Sequence, residues 1–313
     1  MASIYGREVL GTYHERMGAL PWPEDFAQKP PSAVWARLLG YNGHLDGDGS
    51  EVAADYDLTF GAIQVGLDLY RSERDRGQRD RAGLYAAFGH AEAEIDHLLS
   101  DGGSIKAGDT RFDAYAFGGY WTRTGPEGWY VDGVLQATWY DVEMESSRGI
   151  GSSQTDGWGL AASVESGYPF PLDDAWVVEP QGQLIYQYFD FNGFDDLAAD
   201  VSYSDADALT GRIGARVARS WDQGAADAAL PAVAWARVNV WHEFLDSPTT
   251  TFSAFGASVP VTGSLDDTWG ELEVGADMQA NEAVSFYGDL SYQMTFDGDA
   301  DSFGAELGLK WRW

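Results

Sequence analysis

The side chains best suited to acid–base or metal chemistry are five histidines spread along the chain of 313 residues. His90 and His97 flank the acidic residues Glu92, Glu94 and Asp96, a combination that fits a protease-like or a metal site. A surface loop rich in acid is the simpler interpretation of the same stretch. No serine stands in a nucleophile motif beside a base, and the absence of cysteine excludes thiol catalysis and cysteine-ligated metals. The sequence therefore indicates neither an enzyme nor a cofactor.

The charge and aromatic content narrow the class of protein further. A net charge of -31 at pH 7 excludes a nucleic-acid-binding protein, because such a surface repels a phosphate backbone. The same acidity fits plain solubility or a preference of the source organism, as well as acidic loops and a wet channel. Aromatic residues make up 14% of the chain, with 13 Trp, although the mean hydropathy is slightly negative. Membrane β-barrels have this composition because aromatic rings gather at both membrane interfaces.

From about residue 32 onward, apolar and polar residues alternate along the chain with a period of two. In the stretch 286–296, Phe286, Leu290 and Met294 share one face, whereas Asp289 and Gln293 share the other. A soluble β-sandwich produces that alternation too. The sequence has no run of about 18 apolar residues, so it predicts no transmembrane helix.

The spacing of two tryptophans favours a membrane barrel over a sandwich. Trp129 and Trp139 lie on one face of a predicted strand, ten residues apart. At about 3.3 Å per residue and a tilt of about 40°, their separation projects to roughly 25 Å, the height of the apolar band of an outer-membrane barrel. We therefore expect both indoles in aromatic girdles.

The alternation predicts twelve antiparallel strands that close into an all-β transmembrane barrel. Short connections such as 124–128 and 280–282 are expected to be periplasmic turns, and 193–207 and 246–267 extracellular loops. The connections 72–80 and 222–231 are long for periplasmic turns. Closure leaves no strand edge unpaired in lipid. The predicted strands are 33–46, 55–71, 81–96, 109–123, 129–145, 156–168, 176–191, 208–220, 232–245, 268–279, 283–296 and 302–313.

Strand parity predicts a set of charged side chains that point into the barrel lumen. In lipid, each Arg would cost about 2–4 kcal/mol at the midplane and each Glu somewhat less. One interpretation is that water in the pore solvates these charged side chains. The other is that they pair with the charges of a polar N-terminal helix. The set is Glu165, Arg212, Arg216, Arg237, Glu271 and Glu273.

The N-terminal stretch differs from the strands, because residues 4–18 favour one helix without a broad apolar stripe. A helix that is polar nearly all round needs a wet enclosure or a partner, and a twelve-stranded lumen is wide enough to hold it. We therefore expect a pore helix and linker over 1–31 and the barrel over 32–313. The chain begins without a signal-peptide apolar region, so we expect it to be part of a longer protein. The helix charges are Arg7, Glu8, His14, Glu15 and Arg16.

The last eight residues alternate between a polar and an apolar face. They resemble the β-signal of outer-membrane proteins, with its positions at Glu306, Gly308, Trp311 and Trp313. The barrel-assembly machinery reads such a strand by edge pairing. An ordinary amphipathic final strand is the alternative, and Trp313 departs from the usual terminal Phe.

Further segments resemble the translocator domain of monomeric, type Va autotransporters of the pertactin-like group. They occur in the order of that family, at 10–18 (LGTYHERMG), 113–122 (DAYAFGGYWT), 128–142, 162–170 (ASVESGYPF), 179–184 (EPQGQL) and 211–214 (GRIG). The resemblance implies a monomeric outer-membrane barrel that exports and anchors an N-terminal passenger. It also implies three kinds of partner: the passenger, the outer-membrane lipid, and the assembly machinery with periplasmic chaperones.

Two alternatives to a translocator remain open from the residues. One is a diffusion or substrate-specific channel, and the other is a barrel protease or lipase. Some autotransporters cut their own pore helix at paired Asn residues, but here the four Asn lie outside residues 4–18, so we expect that route to be missing. They are Asn42, Asn192, Asn239 and Asn281.

Overall fold

The computed structural model of this protein describes most of the predicted strands and the whole N-terminal helical stretch. Expectations for the linker up to residue 31, for the first barrel residue 32 and for Trp313 fall outside the described residues. These are 1–19, 33–45, 54–74, 77–98, 104–147, 152–195, 200–203, 206–223, 230–245, 249–254, 257–262 and 268–312.

Within those residues, twelve antiparallel strands form a closed barrel. Each strand pairs with the next along the chain, and the last pairs with the first. The strands are β1 (Ala33–Leu45), β2 (Ala54–Glu73), β3 (Arg79–Leu98), β4 (Ser104–Thr124), β5 (Tyr130–Ser146), β6 (Ser152–Gly167), β7 (Trp176–Phe191), β8 (Ala206–Gln223), β9 (Leu230–Glu243), β10 (Thr268–Gln279), β11 (Val284–Thr295) and β12 (Ala300–Arg312).

The closing seam between β1 and β12 runs in unbroken register from Ala33 opposite Arg312 to Leu45 opposite Ala300. Along each strand, exposed apolar side chains such as Leu135, Ile213 and Leu307 alternate with buried polar ones. This is the alternation of a sheet with lipid outside and a filled interior. The predicted twelve-stranded barrel is confirmed.

Several strands extend beyond their predicted ends. β3 and β4 gain residues at both ends, so that β2 and β3 face each other up to the pair Glu73 and Arg79. The connection between them, expected at 72–80, is therefore only the five residues 74–78. Ladder hydrogen bonds compensate for the weak apolar alternation at the strand ends. We call the barrel end with connections 74–78, 125–129 and 280–283 the turn end, and the opposite end the loop end.

Two connections at the loop end, expected to be plain extracellular loops, form a second sheet. Short strands at Phe194–Asp195, Asp200–Tyr203, Thr249–Ala254 and Ala257–Thr262 make four antiparallel strands. Val201 lies opposite Phe252, so the connection after β7 pairs with the connection after β9. Alternation within each loop does not reveal this, because the partner strand is about fifty residues away.

The N-terminal stretch forms two helices rather than the single helix expected over 4–18. They are α1 (Ala2–Leu10) and α2 (Tyr13–Met17). Gly11 has φ 62°, a conformation that L residues rarely adopt and that ends α1. Thr12 then caps α2, since Glu15 donates its N–H to the Thr12 hydroxyl and accepts from the Thr12 N–H. In the described residues, neither helix is long or apolar enough to cross a membrane.

Both helices lie inside the barrel, and α1 packs against a cluster of aromatic side chains from β2, β4, β5 and β7 on one side of the lumen. Tyr5 is fully buried, with its ring 5.5 Å from the rings of both Phe60 and Phe112 in edge-to-face contact. Tyr140 and Phe189 belong to the same cluster. Sequence reasoning expected a polar helix in a wet enclosure, and was wrong about this side of the lumen. The apolar faces of α1 and the inner wall pack against each other instead.

Candidate functional site

Ion pairs that join α2 to the inner wall define the candidate site. Arg16 is fully buried and donates from Nη2 to Oδ2 of Asp132 on β5 at 2.5 Å. His14 Nε2 lies 2.8 Å from Oε1 of Glu179 on β7. On β12, Lys310 donates to the carbonyl oxygen of Met17. The last turn of the helical segment is therefore held from three sides.

The break between α1 and α2 faces two arginines of the wall. Arg237 on β9 donates to the Thr12 hydroxyl at 3.0 Å and also to the Glu15 carboxylate. Arg37 on β1 donates to the carbonyl oxygen of Val9 at 2.7 Å. A Cβ built on Gly11 would lie 2.8 Å from both Nη atoms of Arg37, so glycine here also allows this close approach.

The structure places the predicted lumen charges inside the barrel, and each of them is buried. Arg212 lies 3.0 Å from Glu165, and Arg237 lies 2.5 Å from Glu273. Arg216 pairs with Glu179 at 3.3 Å. Two of the six predicted residues reach the helices directly, since Arg237 contacts Glu15 and Glu165 accepts from the Tyr13 N–H at 2.7 Å.

The remaining predicted lumen and helix charges bind nearer the loop end. Glu271 accepts from Asn239 and Trp241 on β9 and from Gln293 on β11, at 2.7 to 2.9 Å. Arg7 lies 3.3 Å from Glu8, and its guanidinium stacks 4.9 Å from the ring centre of Trp269. Glu8 in turn accepts from Gln293.

Sequence reasoning missed Arg37, Asp132 and Glu179 as helix ligands. Arg37 has the same parity as the buried Trp35 and follows it by two residues, so strand parity alone was sufficient to place it inward. Parity also places Asp132 inward, but its partner Arg16 is 116 residues away in sequence. No local pattern predicts such a pair.

These contacts determine where the helices sit more than they increase stability. Bringing a charge into a water-poor lumen costs several kcal/mol, and a buried partner offsets about that much. Removing one member of a pair leaves the other uncompensated, at about 3–5 kcal/mol. A displaced helix therefore leaves several buried charges unpaired at once.

An aromatic row crosses the outer surface of four neighbouring strands. Phe88, Tyr115, Trp139 and Trp158 lie opposite one another on β3 to β6, and all four are exposed. The rings of Phe88 and Tyr115 are 5.3 Å apart. Trp129, the other predicted girdle residue, lies half-buried in the turn before β5, against Gly125.

The described residues of the predicted C-terminal assembly signal divide between the two faces of β12. Glu306 points inward to Arg37 at 2.7 Å, and Trp311 points outward and is exposed. Gly308 faces inward beneath the ring of Tyr287, which a Cβ at Gly308 would overlap. Tyr287 in turn donates to the carbonyl oxygen of Arg16 at 3.2 Å.

Of the two histidines considered first, the structure describes the side chain of His90 only. His90 is exposed on the outer face of β3, 2.7 Å from Asp113 and 3.6 Å from Glu92. The side chain of His97 lies outside the described residues. In the described part of the chain, no group of three acidic or histidine side chains is arranged to hold a metal.

Two titratable groups in the turns depart from their usual pKa. Tyr168 donates to Glu127 at 2.5 Å, which ties two neighbouring turns and raises the pKa of the Tyr168 hydroxyl. The pKa of Asp173 is lowered, because the backbone N–H groups of Ala175 and Trp176 donate to its carboxylate. Both groups lie at the turn end.

A closed barrel with an apolar exterior and a lumen filled by its own helices is an integral outer-membrane barrel. The chain belongs to the family described as autotransporter beta-domain, whose model matches residues 34–291. It is 27% identical over 333 residues to the adhesin BmaC autotransporter of Brucella suis, an alignment that covers 99% of this chain. The chain spans 9% of the length of that relative.

Solved structures of autotransporter barrels have the same fold. The transport unit of AIDA-I from Escherichia coli superposes with a TM-score of 0.76 at 16% identity, covering 96% of this chain and 95% of that one. The beta domain of the Bordetella autotransporter BrkA gives a TM-score of 0.69 at 19% identity, covering 90% and 99%. The expected resemblance and the outer-membrane location are confirmed.

Proposed function

We propose that this chain is a non-enzymatic translocator, which exports an N-terminal passenger to the cell surface and retains its own pore helix as a plug. The observation that carries the proposal is the path of the N-terminal segment. Met1 lines a vestibule of about 260 Å³ at the loop end, beside Tyr56, whereas Ala19 bonds to Asp277 near the turn end. The segment therefore runs through the whole barrel.

This direction is the one that an exported passenger requires. A polypeptide fused before Met1 emerges at the loop end, which we assign to the cell exterior because the longer connections lie there. The first strand, β1, begins at the turn end, and the last strand, β12, finishes there. We assign the turn end to the periplasm. Residues 1–31 then act as pore helix and linker, and residues 32–313 as the membrane unit.

The partners of the proposed translocator follow from its chemistry. The amphipathic final strand, with Trp311 outward and Glu306 inward, suits strand addition by the barrel-assembly machinery. Periplasmic chaperones protect the unfolded chain on its way there. The exposed apolar band contacts outer-membrane lipid, and the sealed seam leaves no edge that needs a second copy, so we expect a monomer.

A surface-display experiment tests the proposal. A signal peptide and an epitope-tagged reporter are fused before Met1, and we expect protease added to intact cells to digest the reporter. The matched control lacks residues 300–313, which removes β12 and the closing seam, and its reporter is expected to stay inaccessible. A reporter that remains periplasmic beside a folded, inserted barrel contradicts the proposal and favours a channel.

A further inference from the structure

A small cavity rich in carboxylates lies between the helices and the inner wall of β10, β11, β12, β1 and β2. Its volume is about 40 Å³, enough for an ion or a few water-sized groups. Ser291 and Gly304 line it on the wall side, and Gly304 adds no side chain. The carboxylates around it are Glu8, Glu15, Glu271, Glu273, Asp289 and Glu306.

The arginines beside the cavity do not balance this charge. Arg237 engages Glu273 and Glu15, Arg37 engages Glu306, and Arg7 engages Glu8. Three guanidinium groups thus face the six carboxylates that line the cavity. Glu271 is held by neutral donors alone among its described hydrogen bonds. An excess of negative charge in a water-poor lumen is unfavourable.

Asp289 and Glu306 lie directly opposite each other on β11 and β12. Like charges in such a cross-strand pair destabilise a sheet. Glu306 is only 6% exposed. Its Oε2 accepts from Arg37 at 2.7 Å, but its Oε1 is buried and has no hydrogen-bond partner among the described residues. A buried carboxylate oxygen on the cavity wall is the donor that a cation needs.

We propose that this cavity binds one calcium ion between Asp289 and Glu306. Ser291 supplies a hydroxyl oxygen, and Glu8 supplies a carboxylate from α1. Calcium fits better than magnesium, because it accepts irregular sets of six to eight oxygens, whereas magnesium demands a near-ideal octahedron. In the described residues the carboxylates do not yet converge as a metal site, so binding requires side-chain rotation. The ion clamps α1 to the closing seam.

Terbium luminescence tests the site in the full chain purified in detergent, since Tyr41 lines the cavity and can sensitise a bound lanthanide. We expect one saturable terbium site that calcium displaces. Asp289→Asn should weaken it by about tenfold or more, and Glu306→Gln should do the same. Asp141→Asn, on the exposed outer face of β5, is the matched control and should leave it unchanged. Heat-modified electrophoretic mobility confirms that each variant is folded.

Three results would overturn the proposal. One is the absence of a saturable site, and another is an equal loss in Asp141→Asn, which would place binding on the acidic exterior. The third is a barrel whose melting temperature falls as pH rises from about 5 to about 8, equally with calcium and with chelator. That outcome means that the opposed carboxylates share a proton rather than a metal ion.

Discussion

Arg37 and Glu306 form a 2.7 Å ion pair across the seam that closes the barrel, since one lies on the first strand and the other on the last. The same guanidinium donates to Gln64 on β2 at 2.5 Å and to the Val9 carbonyl oxygen of α1 at 2.7 Å. One side chain therefore couples closure of the sheet to the seating of the helix. The position of the helix and the integrity of the seam should fail together.

Replacing Arg37 tests this coupling. Arg37→Met removes the guanidinium that pairs with the buried Glu306, so we expect the free energy of unfolding to fall by about 3–5 kcal/mol. Urea titration of the folded, heat-modifiable band measures it. Arg111→Met is the control, because its pair with Glu92 is exposed and worth at most about 1 kcal/mol. Equal losses in the two variants would contradict a special role for the seam.

Removing the helices tests the plug. A chain that lacks residues 1–19 loses the contacts of Arg16 with Asp132 and of Glu15 with Arg237, and its lumen opens. We expect larger and steadier single-channel conductance in planar bilayers than for the full chain. Unchanged conductance would mean that the helices do not block the pore, and the plug would have to be abandoned.

The loss of stability caused by a charged residue on the lipid-facing surface should depend on its depth in the membrane. Leu135 on β5 is 69% exposed, and Leu172 in the turn before β7 is 66% exposed. Leu135→Arg places the charge in lipid, so we expect a loss of about 2–4 kcal/mol, whereas Leu172→Arg should cost about 0–1 kcal/mol. Unfolding in liposomes measures both. Because the two exposures match, similar losses would show that β5 does not cross the apolar layer.

Gly308 should be intolerant of even one methyl group. A Cβ there overlaps the ring of Tyr287, which donates to the Arg16 carbonyl oxygen, so Gly308→Ala displaces a contact to the helix. We expect a loss of about 1–3 kcal/mol. Gly40→Ala is the matched control on the neighbouring strand, since no atom lies within 4 Å of a Cβ built there. That variant should gain about 0.5 kcal/mol at most, and an equal loss in both would refute the steric account.

The strand pattern made the barrel predictable from single segments. Alternation placed Glu165, Arg212 and Arg237 inward and Trp139 outward, because each decision depends only on neighbours two residues away. The same rule did not reveal the break at Gly11, because alternation of side chains does not show where a glycine adopts a positive φ. Nor did it reveal the aromatic cluster around Tyr5, whose members come from five separate elements.

The sequence by itself determined the number of strands, the face that each residue takes and the presence of an N-terminal helical segment. Only the tertiary structure decided which inward charges meet, because closure brings Arg37 to Glu306 over 269 residues of chain. It also decided that the two outer connections pair as a sheet, and that six carboxylates share one cavity. Periodicity depends only on residues that are close in sequence. Ion pairs and cavities depend on the pairing register of all the strands around the closed barrel.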